Sequence, residues 1–284
     1  MRPDPMSEFS LKQVHPHPLM TIIEVDNPFA TAKISLFGAQ VLQYCPKHDQ
    51  RERLFLSPGA RLDASKSIRG GIPLCWPWFG AHPVDSDKPA HGFARTIQWR
   101  IIALKNDHTG TRLLLGPVGL PDETWTAQAG VELEILIADT LTVSVLTRNT
   151  GTRPLAFSAA LHSYFAVSDI SLVSLEGLQG DYSDKTRNWA HFATPTPYRF
   201  AGETDRIHLD ASPEIVIQDP AGATRLLSTG HDSIVVWNPW SGCAQQFTDM
   251  PPDSYRHMLC VETALTRGFI LPTGETHRLQ QTII

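Results

Sequence analysis

Short alternating runs of apolar and polar residues dominate this chain. Val131, Leu133, Ile135 and Ile137 alternate with Glu132 and Glu134. After a turn at Ala138-Asp139-Thr140, Leu141, Val143 and Val145 alternate with Thr142 and Ser144. A period of two with one apolar and one polar face predicts an antiparallel hairpin lying on a core. Runs rich in β-branched and aromatic residues at 21–25, 33–37, 97–102, 214–218, 233–237, 258–262 and 278–284 predict further strands. Asp219-Pro-Ala-Gly and Pro272-Thr-Gly-Glu supply turns between them. No long stripe of helical period is visible, and no repeat of roughly 20–50 residues. Residues 1–20 have little periodicity and read as a lead-in. Residues 21–284 read as one large all-β domain, an antiparallel β-sandwich with few short helices.

Composition narrows the class. With 42% hydrophobic and 19% charged residues, the 284-residue chain is neither disordered nor fibrous. Its 24 Lys and Arg against 29 Asp and Glu give a net charge of −5, the wrong sign for a nucleic-acid footprint. The 22 prolines favour strands and turns over helices. No apolar run reaches the ~18 residues of a membrane span, and the first residues show no signal-peptide pattern, so a cytoplasmic protein is expected. Cys45, Cys75, Cys243 and Cys260 are too scattered for a disulfide framework or a metal-binding pair and are expected to be reduced. The P-loop, the dinucleotide-binding glycine turn, the serine-nucleophile elbow and the zinc-binding His-Glu-x-x-His are all missing. Any chemistry is therefore expected to use ordinary acid–base side chains, without metal or cofactor.

One segment is unusual. Arg69-Gly-Gly-Ile-Pro-Leu-Cys-Trp-Pro-Trp-Phe-Gly80, followed by His91-Gly-Phe-Ala-Arg95, cannot be regular structure. It is expected to form a rigid loop presenting Trp76, Trp78, Phe79, Arg69 and Arg95 on one wall. Aromatic surface suits the apolar face of a sugar ring, and the guanidinium fork suits phosphate oxygens. For the three aromatics the commoner role of large rings, filling the core, is the stronger expectation.

These two motifs occur in order with Leu161-His-Ser-Tyr-Phe, Glu203-Thr-Asp-Arg, Trp237-Asn-Pro-Trp and Cys260-Val-Glu-Thr-Ala. Together, over residues 20–284, they resemble the hexose-6-phosphate mutarotase branch of the aldose 1-epimerase family. The resemblance implies a galactose mutarotase-like β-sandwich that binds sugar on a concave sheet. It implies that His162 and Glu262 are catalytic and that Arg69, His91, Arg95 and Asp205 bind substrate. Some relatives carry Gln before the His-Gly motif, where this chain has Ala90, so no side-chain contact is expected there.

Mutarotation interconverts the α and β anomers of a reducing sugar. A base takes the proton of the anomeric O1 hydroxyl while an acid protonates ring oxygen O5. The C1–O5 bond opens, C1 rotates about C1–C2, and the ring recloses with the roles reversed. A carboxylate and an imidazole suit this traffic, with ordinary pKa values near 4.3 and 6.5. Buried unpaired in apolar strands either group is costly, so each asks for a polar site. The expected assignment is Glu262 as base at O1 and His162 as acid at O5, acting on a hexose 6-phosphate as the sole partner of a monomer. Two other readings stay open: a glycoside-cleaving enzyme using Glu262 and Asp205, and a non-catalytic carbohydrate-binding or sugar-phosphate-sensing protein.

Overall fold

The computed structural model describes residues 9–284. Strands β1 (Ser10–His17), β2 (Met20–Asp26), β3 (Ala30–Ser35) and β4 (Gln40–Pro46) form an antiparallel meander. The chain continues through β5 (Leu74–Cys75), β6 (Trp99–Asp107), β7 (Gly110–Pro117), β8 (Ala129–Ile137), β9 (Leu141–Asn149), β10 (Leu155–Leu161) and β11 (Tyr164–Ala166). Next come β12 (Ser174–Glu176), β13 (Asp181–Asp184), β14 (Ala190–Ala193), β15 (Tyr198–Arg199) and β16 (Thr204–His208). The last strands are β17 (Glu214–Gln218), β18 (Thr224–Thr229), β19 (Ser233–Asn238), β20 (Met258–Leu271) and β21 (Thr276–Ile283). Helices α1 (Glu123–Gln128) and α2 (Trp240–Ala244) are short.

Two large antiparallel sheets face one another. One runs β14-β13-β16-β19-β20-β10-β5, with β11 also paired to β20; the other runs β15-β12-β17-β18-β21-β9-β8-β7-β6. Bonds between them tie the layers. Gln281 of β21 donates to the Thr263 hydroxyl of β20 at 2.9 Å, and Ser163 donates to Gln281 at 2.6 Å.

The hairpin read from the sequence is β8–β9. Leu133 pairs with Val145 and Ile135 with Val143, all buried, while Glu132 is exposed. Each buried Val, Leu or Ile contributes about 1.5–3 kcal/mol. A one-residue slip would turn the whole row to water, so the register is fixed. Among the described residues, no helix is long and apolar enough to cross a membrane.

The structure differs from the sequence reading in three places. Ser10–His17 is a strand rather than unpatterned lead-in. It is an edge strand with no fully buried residue, so its sequence carries no apolar rhythm. A register irregularity between Val14 and His17 takes up Pro16. The run at 97–102 becomes strand only at Trp99, because Ile97 closes the 3-10 turn Ala94–Thr96. The run at 33–37 stops at Ser35, where the chain turns toward β4.

Candidate active site

Strand β20 places its side chains on two faces. Leu259, Val261 and Leu265 join the main core, and Thr263 bonds toward the nine-stranded sheet. Cys260, Glu262 and Ala264 alternate with them and so point to the opposite face. There Ala264 packs with Cys75, Ala160 and Val235, which with partly buried Phe79 and Ile207 make an apolar floor. Across this floor the register aligns Asp205, Trp237, Cys260 and Tyr164 in one row, and Ile207, Val235 and Glu262 in the next.

His162 lies in the break between β10 and β11 rather than inside a strand. Leu161 pairs with Thr263 and Tyr164 with Cys260, and the same register carried through the break sets His162 opposite Glu262. Its backbone N–H leaves β20 and donates to the Pro73 carbonyl at 3.0 Å. The imidazole Nε2 lies 3.3 Å from Glu262 Oε1. The Tyr164 ring stacks at 5.0 Å and Trp237 meets the imidazole edge-on at 6.1 Å. Glu262 is 1% exposed, and neither its Oε2 nor His162 Nδ1 has a hydrogen-bond partner.

The unusual loop frames this pair. Gly70 has φ +117°, and a Cβ there would lie 2.4 Å from the Phe55 carbonyl oxygen; Gly92 has φ +70° and would meet the Trp76 carbonyl oxygen at 2.0 Å. Both positions admit only glycine, which fixes the neighbouring Arg69 and His91. Trp76 and Trp78 are buried, donating to Thr147 Oγ1 and the Pro89 carbonyl, respectively. They anchor the loop from beneath, so an aromatic wall made of these two indoles is not formed. Phe79 is half-buried and lies 4.9 Å from the His91 ring, which in turn lies 5.8 Å from His162.

Charge surrounds the pair. Arg69 donates to Asp249 and to the Tyr164 hydroxyl, each at 3.2 Å, and stacks on Phe247 at 4.6 Å. Arg95 donates to the Ala90 carbonyl at 2.9 Å, so the position lacking a long side chain contributes its backbone. Asp205 is ion-paired with Lys185 at 2.8 Å. Burial above all, with the Arg95 and Arg69 guanidiniums nearby, pushes the His162 imidazole far below its ordinary range, so it is neutral. Burial and the nearby Asp205 push the Glu262 carboxyl well upward, against the pull of Arg95 and Lys185. Burial, with Arg95 and Lys185, takes His91 down to about 3, so it is neutral. Its Nδ1 accepts from the Gly80 N–H at 3.3 Å, which leaves the proton on Nε2.

All six residues singled out by resemblance thus gather around one site, although the chain separates them by up to 193 positions (69 to 262). Sequence reasoning missed Lys185, Tyr164 and Cys260. Tyr164 and Cys260 stood inside quoted motifs, two residues from His162 and Glu262, and strand alternation pointed to both. Nothing local marked Lys185. One ring nitrogen of His162, the Cys260 sulfur and a Glu262 oxygen lie within 4.8 Å of one another, a set that could hold a metal ion.

A facing pair of antiparallel sheets, with an imidazole opposite a carboxyl on one of them, defines a galactose mutarotase-like fold. The model of the family described as aldose 1-epimerase matches residues 21–283, and the chain belongs to that family. Over 252 residues it is 32% identical to the "Putative glucose-6-phosphate 1-epimerase" of Escherichia coli K12, covering 86% of this chain and 83% of the relative. A protein of the same name from the plant Cenchrus ciliaris is 34% identical, over 87% and 79% of the two chains. The crystal structure of a "putative mutarotase" from Salmonella typhimurium superposes with a TM-score of 0.87 at 29% identity, covering 98% of this chain and 93% of that one. A galactose mutarotase-like protein of Clostridium acetobutylicum shares the fold, with a TM-score of 0.75 at 14% identity.

Proposed function

We propose that the protein interconverts the α and β anomers of hexose 6-phosphates, glucose 6-phosphate foremost. The observation that carries this is the buried His162–Glu262 pair, 3.3 Å apart, with one open polar atom on each residue. In this reading Glu262 takes the O1 proton and His162 delivers one to O5. Asp205 and His91 bond the sugar, and Arg69 and Arg95 hold the phosphate.

The protonation of the pair fits this cycle. Opening the ring turns imidazolium plus carboxylate into imidazole plus carboxylic acid, and closing it reverses the change. The empty cleft favours the second state, which complements the open-chain aldehyde. A phosphate dianion set against Arg69 and Arg95 offsets the guanidinium charges that, after burial, help to depress His162. The names of the relatives support the same substrate class. A glycoside-cleaving role is less well supported, since Asp205 is already engaged by Lys185.

Exchange NMR of equilibrated glucose 6-phosphate tests the proposal. A catalytic amount of protein should broaden and exchange the two anomeric signals, whereas a binder would act only stoichiometrically. Arg69→Ala and Arg95→Ala should each slow the 6-phosphate roughly 10–150-fold, the worth of a charge-assisted bond, and slow free glucose far less. Equal losses on the two sugars would overturn phosphate recognition.

A further inference from the structure

We infer that the cleft is also a binding site for a thiophilic divalent cation such as zinc, held by His162, Cys260 and Glu262 and excluding the sugar. Three residue types that bind zinc converge here from two adjacent strand segments, their ligand atoms within 4.8 Å of one another. Cys260 and Glu262 are two apart on β20 and so share its open face, while His162 reaches the same point across the ladder. Glu262 Oε2 and His162 Nδ1 are unpartnered, so the polar groups are not consumed by protein bonds. Tetrahedral zinc, with bonds of about 2.0–2.3 Å, needs ligand atoms roughly 3.3–3.8 Å apart. Modest side-chain rotation closes the present set to that spacing. Three protein ligands would leave the fourth tetrahedral position for water.

Sulfur makes the site selective. Thiolate with imidazole favours zinc and cadmium over magnesium or calcium, which prefer oxygen ligands. Binding replaces the thiol proton, and any proton on Glu262, by the metal, and these protons leave to the buffer. Affinity therefore rises with pH. Because the ion takes both groups that the proposed mutarotation uses, metal and sugar phosphate compete. This inference rests on the proposed function only for that competition; the coordination stands apart from it.

The full chain titrated with Cd²⁺ and followed by the thiolate-to-cadmium ultraviolet band tests the site directly. One equivalent should generate the band. Cys260→Ser and Cys260→Ala should each weaken binding by more than the roughly 10–100-fold that loss of an outer-shell partner costs. Cys243→Ser and Cys45→Ser, at the partly exposed thiols, should leave the band in place. Zn²⁺ should slow anomer exchange competitively with glucose 6-phosphate, with reversal by EDTA. No band, or a band lost with Cys45 or Cys243 instead of Cys260, overturns the site. A Cys260-dependent band in a protein that does not exchange the anomers overturns the proposed function and leaves the metal site standing.

Discussion

Two buried polar clusters in this molecule contain a histidine and a carboxylate, and only one of them reads as a place of chemistry. Between the sheets, His208 uses both ring nitrogens, Nδ1 to the Thr194 hydroxyl at 3.2 Å and Nε2 to the Tyr198 hydroxyl at 3.1 Å. Nearby Asp184 accepts from the Thr186 N–H and hydroxyl with one oxygen and from Arg206 with the other. In the cleft, the His162–Glu262 pair leaves an atom of each residue open. Both clusters are deeply buried and both depress a histidine, so burial and altered acidity do not separate them. Completeness of hydrogen bonding does: a finished network holds two sheets together, and an unfinished one waits for a ligand.

The largest effect that tests this contrast is on catalysis. Glu262→Gln and His162→Ala should each slow glucose 6-phosphate anomer exchange about 10²–10⁴-fold, the usual worth of a positioned acid or base. His208→Gln should leave the exchange rate within a few fold and lower the melting temperature instead. Comparable rate losses in all three variants would erase the distinction.

One half of the contrast was legible in the sequence, and the His208 cluster was not. The β8–β9 hairpin declares itself because a half-buried strand must alternate, and the six site residues follow from their motifs. The facing of His162 and Glu262 was hidden, because it depends on a strand break and a register that join residues 100 positions apart. The role of Trp76 and Trp78 stayed open between wall and core for a related reason. An aromatic-rich loop has the same composition whether its rings line a cleft or anchor it from below. The edge strand β1 left no signal, since an exposed strand needs no apolar rhythm. Lys185 reaches the cleft only because the β13–β14 connection turns its side chain onto Asp205.

The finished network should reveal itself through acid lability. Burial, then the Arg206 charge, holds His208 down to about 3, whereas the unfolded imidazole titrates near 6.5. As pH falls below 6.5 the unfolded chain takes up a proton that the folded chain refuses, so acid favours unfolding. At pH 5 this one group should cost about 2 kcal/mol. Denaturant midpoints from pH 7 to pH 4 should fall less steeply in His208→Gln than in the parent protein. An unchanged slope would show that His208 is not held neutral.

Within the unfinished network, Glu262 should respond in the opposite direction. Glu262 has its carboxyl raised above the ordinary 4.5, chiefly by burial and then by Asp205. A raised carboxyl favours the fold fully only below about 4.5, and that contribution is lost as pH rises through the folded value. At pH 7 the group therefore costs stability, which the neutral amide of Glu262→Gln avoids. This variant should be more stable than the parent at pH 7, read as a higher melting temperature. The advantage should shrink toward pH 4. A protein that is less active yet more resistant to heat is the signature of a residue kept for function at the expense of the fold. If the variant melts below the parent at neutral pH, Glu262 belongs with His208 as part of the scaffold.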